Sequence, residues 1–182
     1  MISLLNILPE CEADTRVVNI IMEIKQSVRH RGGINEVVEP LKNQKSFLFN
    51  DSALAIVDED KLPNNKRKSN YPNYFLEFVD IKSTERLSLK KHKIKAHYLI
   101  EIKPAIEVWL LNEAIAVNVN PTEYNLSANL KELIIETKKK EIERNEDFTR
   151  FIKALKRNNA PSITLLKEWI DAFRNNQINN IN

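Results

Sequence analysis

The sequence predicts an α/β fold: a mostly parallel sheet flanked by helices, with a helical C-terminal third. Three observations carry that prediction. Short continuous apolar runs at 2–8 ("ISLLNIL") and 53–57 ("ALAIV") have the length and composition of strands buried on both faces. They alternate with segments whose apolar residues recur at helical spacing, the order that builds parallel sheets. Beyond residue 127 the pattern is helical throughout. At 182 residues the chain reads as a single domain with a proper core, its α/β part over about 2–115 and its helical extension over about 127–176.

The elements follow in order. Residues 2–8 read as a buried strand interrupted only by Asn6. From Asp14, apolar residues at 17, 18, 20, 21, 24 and 28 mark one face of a helix ending near "HRGG" (30–33), where adjacent glycines suit a C-terminal cap. Residues 34–44 are amphipathic and predict a short helix broken or kinked at Pro40. "SALAIVDEDK" (52–61) reads as a second buried strand, ending in acids. "YFLEFVDI" (74–81) fits strand and helix alike. Residues 96–102 predict a strand, followed by a helix with Pro104 near its first turn. Helices are then expected over 129–145, 146–158 and 161–176, the last opened by Pro161, and the terminal "NNQINNIN" is expected to fray.

Composition excludes several classes. Apolar residues make up 42% and charged residues 29%, which suits a globular protein and is too apolar for a disordered one. A net charge of +3 does not announce nucleic acid, although the basic residues are bunched. Cys11 is the single cysteine, so no intramolecular disulfide or cysteine-rich zinc site can form, and a reducing cytoplasm is expected. The first residues lack the cationic start of a signal peptide, and no apolar stretch approaches the roughly 20 residues that span a bilayer, so no membrane partner is expected. The only glycines, Gly32 and Gly33, are adjacent, which excludes the P-loop and the dinucleotide fingerprint. Any phosphate bound here must be met by metal ions or basic side chains.

Both apolar strands end in carboxylates: Glu10, with Glu12 and Asp14 just after it, and the run Asp58, Glu59, Asp60. Sites in open α/β sheets form at the carboxyl ends of parallel strands. If the two strands are neighbours, Glu10 converges with Asp58 and Asp60, whose alternate spacing aims both aspartates one way. Converging carboxylates repel unless protons or cations intervene, and hard oxygen donors without His or Cys suit magnesium or manganese. The plainer reading is a strand-ending turn, with Asp14 capping the helix it begins.

"ILPECEADTRVVNII" followed by "LAIVDEDK" resembles the Toprim domain, whose pattern is a strand ending in Glu, usually Glu-Gly-x-x-Asp, and a later strand ending in Asp-x-Asp. The resemblance covers residues 2–115 and implies a Rossmann-like, mostly parallel sheet. It implies that Glu10 stands for the family's catalytic glutamate and Asp58 and Asp60 for its metal-binding aspartates. Cys11 occupies the usual glycine slot. "IKPAIEVWLL" (102–111) is similar to a Pro-x-x-Glu-x-Trp-Leu segment of several Toprim-like proteins. There Glu107 is either a third metal-site carboxylate or an exposed first-turn acid favoured by the helix dipole.

Basic residues gather at 64–68, 89–95 and 138–140, each run read as a solvated face or a phosphate contact. Lys61, Lys66, Arg67 and Lys68 follow Asp60 closely and are expected to meet nucleic acid beside the metal. Tyr71, Tyr74 and Phe75 are candidates to stack on bases, with core packing favoured for Phe75. His30, His92 and His97 share no ligand spacing, and Cys11 is a poor nucleophile because carboxylates raise a thiol pKa. The resulting expectation is a Mg²⁺- or Mn²⁺-dependent nuclease of the Toprim type acting on DNA or RNA, with Glu10, Asp58 and Asp60 catalytic. The resemblance adds a role as a phage-defence effector with a separately encoded protein partner such as an ATPase. The alternative, which Cys11 favours, is a Toprim-like binding or assembly subunit without catalysis.

Overall fold

The structure, a computed structural model, describes residues 2–24, 28, 31–43, 52–59, 72–139 and 141–181. Among these residues the strands are β1 (Ile7–Pro9), β2 (Ser52–Asp58), β3 (Phe78–Ser83), β4 (Leu87–His92) and β5 (Ala96–Ile102). They form one sheet in the spatial order β1-β2-β5-β4-β3. β2 pairs in parallel with β1, Ile7 opposite Leu54, and with β5, from Ser52 opposite Ala96 to Asp58 opposite Ile102. β4 and β3 extend the sheet antiparallel. The sheet is therefore mixed, parallel only across its first three strands.

β4 is a strand that the sequence pattern does not reveal, because its lysines belong to a basic run. Leu87 and Leu89 alternate into the core, while Ser88 and Lys90 point the other way. There the Ser88 hydroxyl donates to Glu101 Oε2 on β5 at 2.7 Å, and Lys90 Nζ lies 2.8 Å from the same oxygen. Segment 74–81 divides: a 3₁₀ turn at Asn73–Glu77, then β3.

The described α-helices are α1 (Glu12–Ile21), α2 (Ile34–Lys42), α3 (Ile106–Ala116), α4 (Leu130–Thr137), α5 (Glu146–Arg157) and α6 (Pro161–Arg174). The two-residue period of β2 explains the layering. Leu54 and Ile56 join one apolar cluster with Val17, Trp109, Phe148, Phe151 and Phe173 from α1, α3, α5 and α6. Ala53, Ala55 and Val57 face the opposite cluster, with Val37, Val38 and Leu41 of α2 and Tyr74, Phe75 and Phe78. Each fully buried Val, Leu, Ile or Phe side chain among these stabilises the fold by about 1.5–3 kcal/mol relative to exposure.

Several boundaries differ from expectation, each for a local reason. β1 is shorter than 2–8 because residues Leu4–Asn6 form a 3₁₀ turn and the Asn6 side chain, not the backbone, donates to the Ser52 carbonyl at 2.8 Å. α1 starts at Glu12, capped by Cys11 rather than Asp14. The Asp14 N–H donates to Cys11 Sγ, and the Cys11 N–H donates to Asp14 Oδ2, a reciprocal capping box. The helix stops at Ile21, not near residue 30. Glu23 takes the left-handed conformation (φ 57°), and its N–H and that of Ile24 close back on Ile20 and Asn19. Val28 still reaches the core, held on both backbone groups by the Asn19 amide.

Gly32 (φ 95°) and Gly33 (φ 149°) therefore lead into α2 instead of ending α1. Pro40 lies inside α2, which continues to Lys42. Pro104 lies near the first turn of α3 as expected, just before its N-cap Ala105. The helix expected over 129–145 is α4 alone, capped by Asn129 and ended at Thr137, whose hydroxyl back-bonds to the Ile134 carbonyl. The terminal segment is pinned rather than frayed: Ile178 is buried, and Asn179 Oδ1 accepts from the Tyr98 hydroxyl at 3.0 Å. Among the described residues no helix is long and apolar enough to cross a membrane.

Candidate functional site

The carboxyl ends of the three parallel strands meet at one edge of the sheet. Glu10 follows β1 directly, and its N–H still donates to the Ile56 carbonyl at 3.0 Å, so the ladder fixes where its side chain starts. Asp58 is the last residue of β2, opposite Ile102 at the end of β5. Glu107 stands in the first turn of α3, the helix that follows β5. Glu10, Asp58 and Glu107 line one cavity of about 400 Å³, with Cys11, Glu12, Gly32, Gly33, Thr137 and Lys138. Acids from three separate segments of chain thus line one cavity.

Each acid is oriented by a bond to another element. Asp58 Oδ1 accepts from the Ile106 N–H at 3.0 Å, satisfying a backbone donor at the start of α3. Glu10 Oε2 lies 3.5 Å from the Asp58 N–H. Glu107 Oε1 accepts from the Thr137 hydroxyl at 2.6 Å, tying α3 to the end of α4. Glu107 is buried, so it is not the exposed first-turn acid of the plainer reading.

Behind this wall lies Asp14, 1% exposed. Its Oδ2 accepts from Cys11, and its Oδ1 has no hydrogen-bond partner among the described residues. Its pKa is pushed up to about 7, first by burial and then by the negative charges of Glu10 and Glu107, against the lowering effect of its bonds to Cys11. Cys11 is raised far above the ordinary thiol range, by burial first and by Asp14 second, so it stays a neutral thiol. Carboxylate charge is thus one cause, as the sequence suggests, and burial is the greater one.

The lining includes a cation and a turn that sequence reasoning did not assign to the site. Lys138 is the C-cap of α4 and belongs to the 138–140 run, which reads as a solvated face or a phosphate contact. Its place on this wall is set by the packing of α4 against α3, which no local pattern encodes. The glycine pair closes the rim, with the Gly32 N–H donating to the Glu10 carbonyl at 3.2 Å.

Asp60, Lys61, Lys66, Arg67 and Lys68 lie outside the described residues, as do His30 and Tyr71. Among the described residues, no group of three or more His, Cys, Asp or Glu side chains stands close enough to hold a metal ion. Base stacking by Tyr74 is corrected: it is buried against Phe78, His92 and His97, with its hydroxyl 2.6 Å from His97 Nδ1, while Phe75 packs in the core against Tyr74 and Phe78 as expected. The 89–95 run is likewise no simple solvated face. Lys90 pairs with Glu101, and Lys91 and Lys95 lie over the rings of Tyr98 and Tyr74. No protein-family model matches the chain, and no curated protein and no solved structure matches it.

Proposed function

We propose that this chain is a nuclease that holds magnesium or manganese with Glu10, Asp58, Asp60 and Glu107 and cleaves phosphodiester bonds in DNA or RNA. The observation that carries the reading is the shared cavity: Glu10, Asp58 and Glu107, distant in sequence, line one wall at the carboxyl ends of parallel strands. The donor chemistry fits a hard divalent cation, since the acids offer carboxylate oxygens and the neighbouring Cys11 remains protonated. The Asp14 pKa is raised first by burial, and the charges of Glu10 and Glu107 add to it, a repulsion that a bound cation would relieve. The acids described do not make a three-ligand cluster among themselves, so the reading needs Asp60 to complete the set.

A bound divalent ion would supply Lewis-acid stabilisation of the scissile phosphate and an activated water. The chain's own groups do the rest. The Ile106 N–H and Thr137 hydroxyl hold Asp58 and Glu107 in place, and Lys138 brings positive charge to the same wall for the phosphate. Glu10 either joins the ligand set or moves a proton as general acid and base, the role that the Toprim resemblance implies. Antiviral defence and a separately encoded partner such as an ATPase follow from the resemblance alone.

A second reading, a Toprim-like assembly subunit without catalysis, is favoured by Cys11, which stands in the glycine slot of the resemblance and caps α1 with its thiol. Metal binding separates the two. On the nuclease reading, Mn²⁺ raises the unfolding temperature of the wild type and supports cleavage of a labelled single- or double-stranded DNA or RNA, and Asp58→Asn loses cleavage and shrinks the rise in unfolding temperature. Absence of both effects in the wild type supports the non-catalytic reading.

A further inference from the structure

α5 separates an apolar face from a basic one. Phe148, Phe151, Ile152 and Leu155 are buried beneath it, while Arg150, Lys153 and Arg157 recur at i, i+3 and i+7 on its outer face. These three and Lys156 line a groove of about 690 Å³ with Ile20, Glu23, Tyr124 and Asn159. Four cations thus face a single carboxylate, in a chain whose whole net charge is +3.

Part of this charge has an intramolecular use. Lys156 pairs with Glu23 at 2.6 Å, and Arg150 pairs with Asp147. Lys156 and Arg157 in the last turn also complement the helix dipole. Neither use explains Lys153, which sits mid-helix. Among the described residues neither Lys153 nor Arg157 has an ion-pair partner. Beside them Tyr124 is half-buried, its ring centroid 5.9 Å from that of Phe151, which braces it from the core side.

We propose that this groove binds single-stranded nucleic acid, with Lys153, Arg157 and Arg150 on successive phosphates and Tyr124 stacking against a base. The volume suits about one nucleotide unit seated in a longer strand. A row of cations beside an aromatic face is the chemistry that recognises an unpaired strand, since every base has a π face and every nucleotide a phosphate. The groove lies at the C-terminal end of α1, at Ile20 and Glu23, while the acid cavity lies at the N-terminal end, at Glu10 to Ala13. α1 has ten residues, so the two are separated by about 15 Å along its axis, a span of a few nucleotides. This inference rests on the nucleic-acid part of the reading above but not on cleavage.

The test is therefore run in EDTA, where catalysis and metal binding play no part. Binding of fluorescein-labelled 20-nucleotide oligothymidylate is followed by anisotropy over a series of salt concentrations, with circular dichroism confirming that each variant is folded. The wild type should bind, with affinity falling as salt rises. K153A/R157A should weaken binding about tenfold or more and flatten the log–log salt slope by about 1.4, as two phosphate contacts of roughly 0.7 each are lost. Tyr124→Leu, which keeps an apolar contact with Phe151, should weaken binding about fivefold at unchanged slope. No binding by the wild type at low salt overturns the proposal, as does an unchanged slope in the folded double variant. Unchanged affinity in folded Tyr124→Leu overturns the stacking assignment.

Discussion

Asp14 ties the site to a measurable pH dependence. An unfolded chain releases the proton of this aspartate near 3.8, whereas the native state holds it up to about 7. Between those values the folded form binds more protons, so stability is full below about pH 4 and falls as pH rises through 7. Asp14→Asn keeps an oxygen for the Cys11 N–H and removes the titration. Its urea midpoint should change less than that of the wild type across this window; parallel profiles would mean that Asp14 ionises normally. Asp58 shows a second role at the same scale. Because it accepts the Ile106 N–H, Asp58→Ala leaves a helix-start donor unpaired and should cost about 1 kcal/mol in metal-free protein. Asp58→Asn retains the acceptor and should cost less, a comparison that thermal unfolding decides. Removing a carboxylate from this cavity also relieves repulsion, and the lost bond to α3 opposes that gain. Glu10, Asp58 and Glu107 were legible as acids closing or following strands, whereas the bonds orienting them and the arrival of Lys138 depend on tertiary packing.

Helices and strands show where local pattern suffices and where it fails. α5 and α6 were readable because Pro161 and the apolar period mark them plainly, and Asn145 caps α5 by accepting from the Phe148 N–H at 2.8 Å. Asn145→Ala should lower stability by about 1 kcal/mol, read as a drop in unfolding temperature of roughly 2–4 °C. β4 was hidden because its solvent-side lysines read as a charge run, and its partner Glu101 comes from a neighbouring strand. The end of α1 was hidden because Glu23 stands in the left-handed position that usually announces itself as glycine. Glu113 of α3 is a similar case. It is fully buried, paired with Arg86 before β4 and accepting the Ser162 N–H at the start of α6 at 2.8 Å. No sequence period predicts an acid there, yet it joins three elements. Glu113→Ala should destabilise by about 3 kcal/mol by stranding those partners, and a change within about 0.5 kcal/mol in chemical denaturation would deny it that role.

At the scale of the whole molecule, charge is sorted along α1. Carboxylates collect at its N-terminal end, where the parallel strands finish, and the cations of α5 collect at its C-terminal end. The N-terminal arrangement follows from topology. Two parallel pairings place the ends of β1, β2 and β5 side by side, so residues 10, 58 and 107 line one cavity although nearly a hundred positions separate the outermost. That much could be inferred from strands ending in acids. The C-terminal arrangement could not, since it needs α5 laid against α1, a contact carried by Arg16 and Thr149 as well as by apolar packing. The central claim is that the acid wall holds a divalent cation, and the unfolding temperature of metal-free protein titrated with Mn²⁺ tests it most directly. Saturation to one hundred times Kd should stabilise the wild type by about 2.7 kcal/mol, and Asp58→Asn and Glu10→Gln should each shrink that gain. A wild-type unfolding temperature that does not move with Mn²⁺, or one that moves equally in both variants, would contradict it.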